Sequence, residues 1–219
     1  MKKIARTLKT ILFYVLSFTW GLPLTSIGLI MSLGLLITGH KPHRFYHAMY
    51  FVVGKNWGGL EIGPFFIVCE TAAFELKAHE MGHGLQNIVI GPFTPFVVSI
   101  PSAVRYWLRE MRGNKGRDLF SKIFFVITVI ICVGLGIVGY LFWKPLMIIA
   151  AALLVYFIGI FLWLQLREMP KYKNNHWPAY DSIWFEGNAT SNGIKLANKY
   201  DAEGIITECK NVNKDKETE

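Results

Sequence analysis

The sequence predicts a mostly α-helical integral membrane bundle, and its hydrophobicity and charge distribution are the basis for this. Hydrophobic residues make up 53% of the 219 residues and the mean hydropathy is +0.35, which is high for a soluble protein. Three stretches carry no charged residue: residues 11–39, 123–143 and 145–165. A transmembrane helix needs about 20 apolar residues, so two of these stretches have spanning length and the first exceeds it.

The N-terminal region predicts an uncleaved membrane anchor. It is basic and then apolar, like a signal peptide, but its apolar part is too long and no small-x-small cleavage motif ends it. As one helix, residues 11–39 would reach roughly 43 Å, too long for one perpendicular span and too short for two. Pro23 in "WGLPL" should kink or break this helix. Either a kinked, tilted span or a re-entrant hairpin fits.

The region between residues 40 and 104 is predicted to be less regular. Residues 40–55 combine three histidines with lysine and arginine, which indicates a cationic interfacial loop (His40, His43 and His47). Residues 58–71, "GGLEIGPFFIVCET", have the β-prone residues and Gly/Pro punctuation of a short strand or hairpin. Thr71 is then a fair N-cap for a following helix. The three prolines of "GPFTPFVVSIPSAV" favour a buried or interfacial irregular segment.

The two later apolar stretches predict a tight transmembrane hairpin, because only Lys144 separates them. Six Lys/Arg residues lie in the segment 105–122 before the hairpin and three more follow it, whereas the turn carries only Lys144. By the positive-inside rule both ends of the hairpin, and the basic N-terminus, should face the cytoplasm. The cations of residues 40–55 favour the cytoplasmic side for residues 77–87, which follow them and contain two histidines. If residues 11–39 cross the membrane once and residues 86–104 cross back, residues 77–87 face outward instead.

The charge distribution argues against a nucleic-acid-binding protein, and the cysteine content argues against a protein built on disulfides or on a cysteine-only zinc site. A formal net charge of +8 on a soluble domain would suggest nucleic acid, but here the cations flank apolar runs, so anionic lipid headgroups are the expected partner. The three cysteines are an odd number and form no C-x-x-C motif, so we expect reduced thiols and no cysteine-only zinc site (Cys69, Cys132 and Cys209).

One short motif predicts chemistry. In "KAHEMGHGLQN", His79 and His83 are four residues apart and Glu80 follows the first, which forms an H-E-x-x-H motif. On a helix, positions i and i+4 differ by about 40° in direction, so both imidazoles can reach one Zn²⁺ ion. Glu80 points about 100° away from His79, where it could act on a metal-bound water without being a ligand. The alternative without a metal is that the two histidines are simply solvated or packed in the core.

A catalytic zinc site needs a third protein ligand, and the segment "YDSIWFEGNATSNG" offers Asp181 and Glu186. The order of an apolar N-terminus, "HEMGH", a transmembrane hairpin and then "EGNA" resembles the integral-membrane gluzincins, which are the bacterial heat-shock and the eukaryotic CaaX-processing membrane proteases. The phrase "GLQNIVIGPFTPFVVSIPSAV" also resembles small bacterial H-E-x-x-H membrane proteins without an assigned substrate. The gluzincin resemblance implies His79, His83 and Glu186 as zinc ligands, Glu80 as the base, and a site that faces the cytoplasm.

The chain departs from that family at one position. The family usually has an aspartate after the alanine, as the partner of a ligand histidine, whereas this chain has Thr190. A hydroxyl can accept the imidazole N–H but stabilises its charge less well, and Asp181 is the candidate to take the place of the aspartate. Glu75, one turn before His79, could also orient that histidine, although a solvated charge is the commoner reading. His176 could donate to an oxyanion, or simply be exposed.

These observations predict a zinc metallopeptidase of the bacterial inner membrane that acts on membrane-associated peptides or proteins. Two other functions remain open: a non-catalytic zinc-binding accessory protein, and a small transporter with the two histidines on an ion path. The expected segments are an anchor, a catalytic region, the hairpin, a third-ligand segment and a disordered polar tail (residues 1–40, 41–120, 121–166, 167–208 and 209–219).

Overall fold

The computed structural model describes residues 2–173 and 179–202 of the chain. It is mostly helical (76%), as the sequence predicts, with a small β-sheet in addition. The chain divides into two compact units, which are described separately. The first unit extends to Val98 and resumes at Tyr180, and the second comprises Ser99–Ala179.

Two helices begin the first unit. Helix α1 spans Lys2–Phe18 and helix α2 spans Leu22–Ile37. The two helices bend by 98° at the break between them, and Pro23 lies in the first turn of α2. The predicted break is therefore confirmed. A proline is tolerated there because the first backbone N–H groups of a helix have no partner within the helix.

A four-stranded sheet follows in the order β1-β2-β4-β3. The strands are β1 (His43–Phe45), β2 (Ala48–Val52), β3 (Gly59–Ile62) and β4 (Phe65–Val68). Strands β2 and β4 are parallel, and the two outer pairs are antiparallel. Residues 58–71 were predicted to form a short strand or a hairpin, and they form the hairpin β3–β4. Gly63, with φ of +77°, begins its two-residue turn, as a type II′ turn requires.

The prediction of a cationic loop over residues 40–55 is wrong, because this segment contributes β1 and β2. His47 is not a surface cation: it is 5% exposed, between the Thr10 and Tyr200 hydroxyls at 2.7 and 2.6 Å. His43 is exposed as expected, and its ring stacks on Tyr50 of the neighbouring strand. A basic composition concealed these short strands, whose apolar residues face the core.

The two faces of the sheet bury different helices. Helix α3 spans Phe74–Ile90 and helix α8 spans Trp184–Ala202. One face of the sheet packs on both of them through a single apolar cluster, which includes Tyr50, Phe66, Val68, Ala78, Met81 and Ala197. The other face packs on α2 through Leu24, Ile62 and Ile67. The sheet thus fixes the position of α3, the helix that carries the H-E-x-x-H motif.

Helix α3 begins later than the sequence predicts. Its N-cap is Ala73, and the hydroxyl of Thr71 donates instead to the carbonyl of Lys55 at 3.1 Å. The proline-rich segment that follows was predicted to be irregular, but it is helical: a 3₁₀ turn (Gly91–Phe93), a π-helical turn (Pro95–Ser99) and helix α4 (Ile100–Glu110). Pro92 and Pro95 lie in the first turn of their helical pieces, where a missing N–H costs little, and Pro101 lies at the junction of the π-helical turn with α4.

The second unit contains the predicted hairpin. Helix α5 spans Gly113–Phe142 and helix α6 spans Pro145–Trp163, followed by a π-helical turn (Leu164–Glu168) and helix α7 (Met169–Lys173). Within the hairpin the Phe125 and Phe161 rings stack at 4.5 Å and the Gln165 amide donates to the Ser121 hydroxyl at 2.7 Å. Two helices are long and apolar enough to cross a membrane. If each of two further bent helix pairs is also taken as one span, up to four spans result.

The cysteines within the described residues are reduced. Cys69 and Cys132 are both buried and free, as the sequence predicts. Cys209 lies outside the described residues. No disulfide therefore cross-links the described part of the chain, and the stability of its helices depends on packing.

Candidate metal centre

Helix α3 places the two motif histidines side by side. Their rings meet edge to face with centroids 4.7 Å apart, and the Nε2 atoms of His79 and His83 lie 3.1 Å apart. Both side chains are buried, with 9% and 6% of each residue exposed. The i, i+4 spacing on one helix produces this pairing, as the sequence predicts.

Helix α8 brings a carboxylate to the same point from 103 residues away. The Oε2 atom of Glu186 lies 3.2 Å from Nε2 of His79 and 3.1 Å from Nε2 of His83, and Glu186 is fully buried. The three ligand atoms therefore form a nearly equilateral triangle. His79, His83 and Glu186 form the one group of three or more metal-ligating side chains found within the described part of the chain.

Small residues make this approach of α8 to α3 possible. A methyl group at Gly82 would overlap the Ala189 carbonyl, and one at Gly193 would overlap the Ala78 carbonyl. Two helices can approach so closely only where side chains are absent from the contact. Gly82 of the motif and Gly193 of α8 therefore have a packing role.

Each histidine is oriented through its second ring nitrogen. Nδ1 of His79 is 2.7 Å from the Thr190 hydroxyl, and Nδ1 of His83 is 2.8 Å from Oε1 of Gln86. The Gln86 amide nitrogen donates to the Phe185 carbonyl at 2.7 Å, so its oxygen faces His83 and can only accept. Nδ1 of His83 must then carry the proton. Its Nε2 is left to face the triangle and could ligate a metal ion once that nitrogen has lost its proton.

Glu80 lies against the free edge of the sheet. Strand β3 is an edge strand, and the backbone N–H of Glu61 on it donates to the Glu80 carboxylate. A methyl group at Gly59 of the same strand would overlap this carboxylate, so the absence of a side chain there creates its space. Glu80 is 5% exposed and next in sequence to His79. Its carboxylate thus approaches the triangle from the side of β3.

A second buried acid beside the motif was missed from sequence. Glu61 is 7% exposed and its carboxylate accepts the backbone N–H of Gly63. Burial raises the pKa of the Glu61 carboxyl to about 8, although the charge of His83 and the Gly63 N–H act in the opposite direction. Strand alternation places Glu61 on the face opposite Leu60 and Ile62, so the local pattern gave no signal that this acid is buried.

The other residues predicted for the site have different outcomes. Thr190 holds His79, whereas Asp181 and Glu75 are exposed and do not take that place. His176 lies outside the described residues. The centre of the Tyr180 ring lies 5.9 Å from that of His79. Gln86 was missed, although its i+3 spacing from His83 could have identified it.

The geometry fits a tetrahedral ion. Ligands that lie 2.0–2.1 Å from a tetrahedral zinc are separated by about 3.3–3.4 Å, close to the three distances found here. Two imidazoles and one carboxylate also form a donor set that zinc accepts. A comparison with known proteins adds nothing to this, because no protein family, curated protein or solved structure matches the chain.

Proposed function

We propose that this protein is a membrane-embedded zinc metallopeptidase. The observation that carries the proposal is the buried triangle of His79 Nε2, His83 Nε2 and Glu186 Oε2, with the Glu80 carboxylate beside it. Three protein ligands with a fourth position for water are the composition of a catalytic zinc site, whereas structural sites use four protein ligands. When bound, zinc would polarise a peptide carbonyl and acidify a water molecule.

The side chains have separate roles in this proposal. His79, His83 and Glu186 hold the ion, while Thr190 and Gln86 fix the two imidazole rings. Glu80 accepts a proton from the attacking water on a carboxylate oxygen and passes it to the leaving amine. Burial of the group excludes bulk water and strengthens these charge interactions.

The same donor set raises the question of which metal is bound. Two histidines and one carboxylate also bind non-haem Fe(II) in oxygenases, which leave positions open for oxygen. Hydrolysis instead needs a base near the ion. A carboxylate directly after a ligand histidine, as in the H-E-x-x-H motif, supplies that base. Glu80 therefore favours zinc over iron in this proposal.

The proposed location is the bacterial inner membrane, with several passes. Two helices of spanning length support a membrane location. The cations at one end of their hairpin favour a cytoplasmic position for that end. A chain anchored in this way would act on membrane-associated peptides or proteins. The proposed active site faces the cytoplasm, and a nucleic-acid partner is not part of the proposal.

The test is the variant Glu80→Gln in proteoliposomes, with proteolysis measured on fluorescent casein and on the protein itself. We expect zinc content to stay unchanged and the rate to fall by about 10²- to 10⁴-fold, because only the base is lost. The control is Glu75→Gln, an exposed carboxylate on the same helix, which should cleave at the wild-type rate. Cleavage by Glu80→Gln at the wild-type rate would overturn the proposed mechanism.

One observation favours a second function, that of a non-catalytic zinc-binding accessory protein. His79 is held by the neutral hydroxyl of Thr190, where the resembling proteases have an aspartate. A hydroxyl supports a ligand imidazole less strongly than a carboxylate does. Wild-type protein that binds zinc stoichiometrically and cleaves neither casein nor itself would support this function over the first.

A further inference from the structure

The open end of the transmembrane hairpin must lie at a lipid–water boundary. Only 17% and 11% of the most apolar stretches of the two spanning-length helices are buried, so lipid has to cover the rest. The first charged residues beyond these stretches lie before Ile123 and after Gln165. Headgroups of the surrounding lipids are therefore next to the residues just outside these positions.

The residues at this end are strongly basic. Among the described side chains from α4 to the start of α5 and from the end of α6 to α7, eight are Arg or Lys and three are acidic. The cations are Arg105, Arg109, Arg112, Lys115, Arg117, Lys122, Arg167 and Lys171, and the acids are Glu110, Asp118 and Glu168. Two of the acids are already engaged. Asp118 pairs with Lys122, and Glu168 pairs with both Arg105 and Lys171.

Three of the cations have no ion partner. Arg112, Lys115 and Arg167 are exposed, and within the described residues no acid pairs with them. Arg112 and Lys115 lie at the start of α5, and Arg167 lies in the π-helical turn that follows α6. The bond from Gln165 to Ser121 places the end of α6 beside the start of α5. The charge of these cations is therefore available to an anion at the membrane surface.

Packing and aromatic residues hold this end in place at the boundary. Helix α4 packs on the end of α6 through Val104 and Leu108, and Trp107 on its outer side is 54% exposed. The Arg117 guanidinium lies 4.5 Å from the centre of the Tyr172 ring. Tryptophan and tyrosine are typical of the interfacial layer of a bilayer. The cations are thus presented on a packed surface at headgroup level.

We infer that the basic surface that includes Arg112, Lys115 and Arg167 binds anionic phospholipids through their headgroup phosphates. A lipid anion is the expected ligand for two reasons. The described side chains at this end carry a net positive charge, and the apolar helices next to them are surrounded by lipid. The phosphodiester oxygens accept the guanidinium and ammonium hydrogens. This site is independent of the metal centre, which lies in the other unit.

The test is lipid selectivity, measured by electron paramagnetic resonance on protein reconstituted in phosphatidylcholine. Spin-labelled phosphatidylglycerol and spin-labelled phosphatidylcholine report the relative association of each lipid with the protein. We expect the wild type to prefer phosphatidylglycerol by roughly two- to five-fold, which is the size of effect that interfacial cations produce. At an ionic strength of about 1 M, where the Debye length is about 3 Å, the preference should shrink.

The variant Arg112→Gln/Lys115→Gln/Arg167→Gln should lower this preference to about one. The matched control is Lys144→Gln, which removes the single cation of the opposite end and should leave the preference unchanged. Wild-type preference in the triple variant, or an equal loss in the control, would overturn the inference. Release of the labelled lipid by soluble glycerol phosphate would also overturn it, since the site would then be one for free phosphate.

Discussion

The two units of this molecule bury their apolar surface in different ways. In the first unit, a sheet packs between helices, and buried charged groups such as Glu186 contact other buried side chains. In the second unit, the hairpin helices expose most of their apolar residues, for example Ile130 and Ile148 at 64% and 72%. The sheet with α3 and α8 thus completes its core with protein. The hairpin instead leaves its apolar surface for lipid, and so does α2 of the first unit, where Ile30 and Ile37 are 70% and 86% exposed.

This difference indicates where the chain is sensitive to change. In the first unit the fit of α3 against α8 has little tolerance, because backbone touches backbone at Gly82 and Gly193. In the hairpin, Gly134 has no atom within 4 Å of the place where a methyl group would lie. We therefore expect equivalent substitutions to have unequal effects in the two units.

The largest difference is expected for the pair Gly82→Ala and Gly134→Ala. At Gly82 the added methyl meets the Ala189 carbonyl, and such overpacking costs about 1–3 kcal/mol, more than the roughly 1 kcal/mol that alanine gains in helix propensity. Gly82→Ala should lower the melting temperature in detergent and weaken zinc binding, since α8 carries Glu186. Gly134→Ala should do neither. Equal stability and zinc affinity in both variants would show that the helices have room to separate.

A smaller difference is expected for two threonines. Thr190→Val removes the hydroxyl that holds His79 and keeps its shape, so zinc affinity should fall by about 10- to 100-fold. Thr128 is the control, because its hydroxyl bonds only the Phe125 carbonyl of its own helix at 2.8 Å. Thr128→Val should leave zinc affinity unchanged, as measured by competition with a chelating dye. Wild-type affinity in Thr190→Val would mean that another group orients the ring.

The smallest effect is a dependence on pH in the zinc-depleted protein. Burial raises the pKa of Glu61 from an ordinary 4.5 to about 8, so the folded state retains a proton that the unfolded state has released. Stability from this group is therefore present at low pH and is lost as the pH rises from about 4.5 to about 8. Glu61→Gln, which cannot ionise, should raise the melting temperature at about pH 8.5 and change it little at about pH 5. The exposed control Glu75→Gln should show no such difference.

The features that sequence could predict are those encoded over short distances. The hairpin follows from two uncharged runs around Lys144, and the histidine pairing follows from a four-residue spacing on one helix. Glu186 was placed in the ligand set only by resemblance, because a contact across 103 residues leaves no local periodic signal. Its position beside both histidines agrees with that expectation in geometry.

Other features could not be predicted, for identifiable physical reasons. Strands β1 and β2 are three and five residues long and lie among basic residues, so their pattern is too short to distinguish from a loop. The parallel pairing of β2 with β4 depends on the whole sheet and not on either strand. The burial of Glu61 depends on which side chains it meets after folding.

The central claim is that His79, His83 and Glu186 together hold one metal ion. The most direct measurement is the metal content and zinc affinity of the purified wild type, His79→Ala and Glu186→Ala. We predict about one zinc per chain in the wild type and a loss of binding in both variants, because each removes one of three ligands. If Glu186→Ala binds zinc as tightly as the wild type, the triangle is not the metal site and the proposed peptidase fails with it.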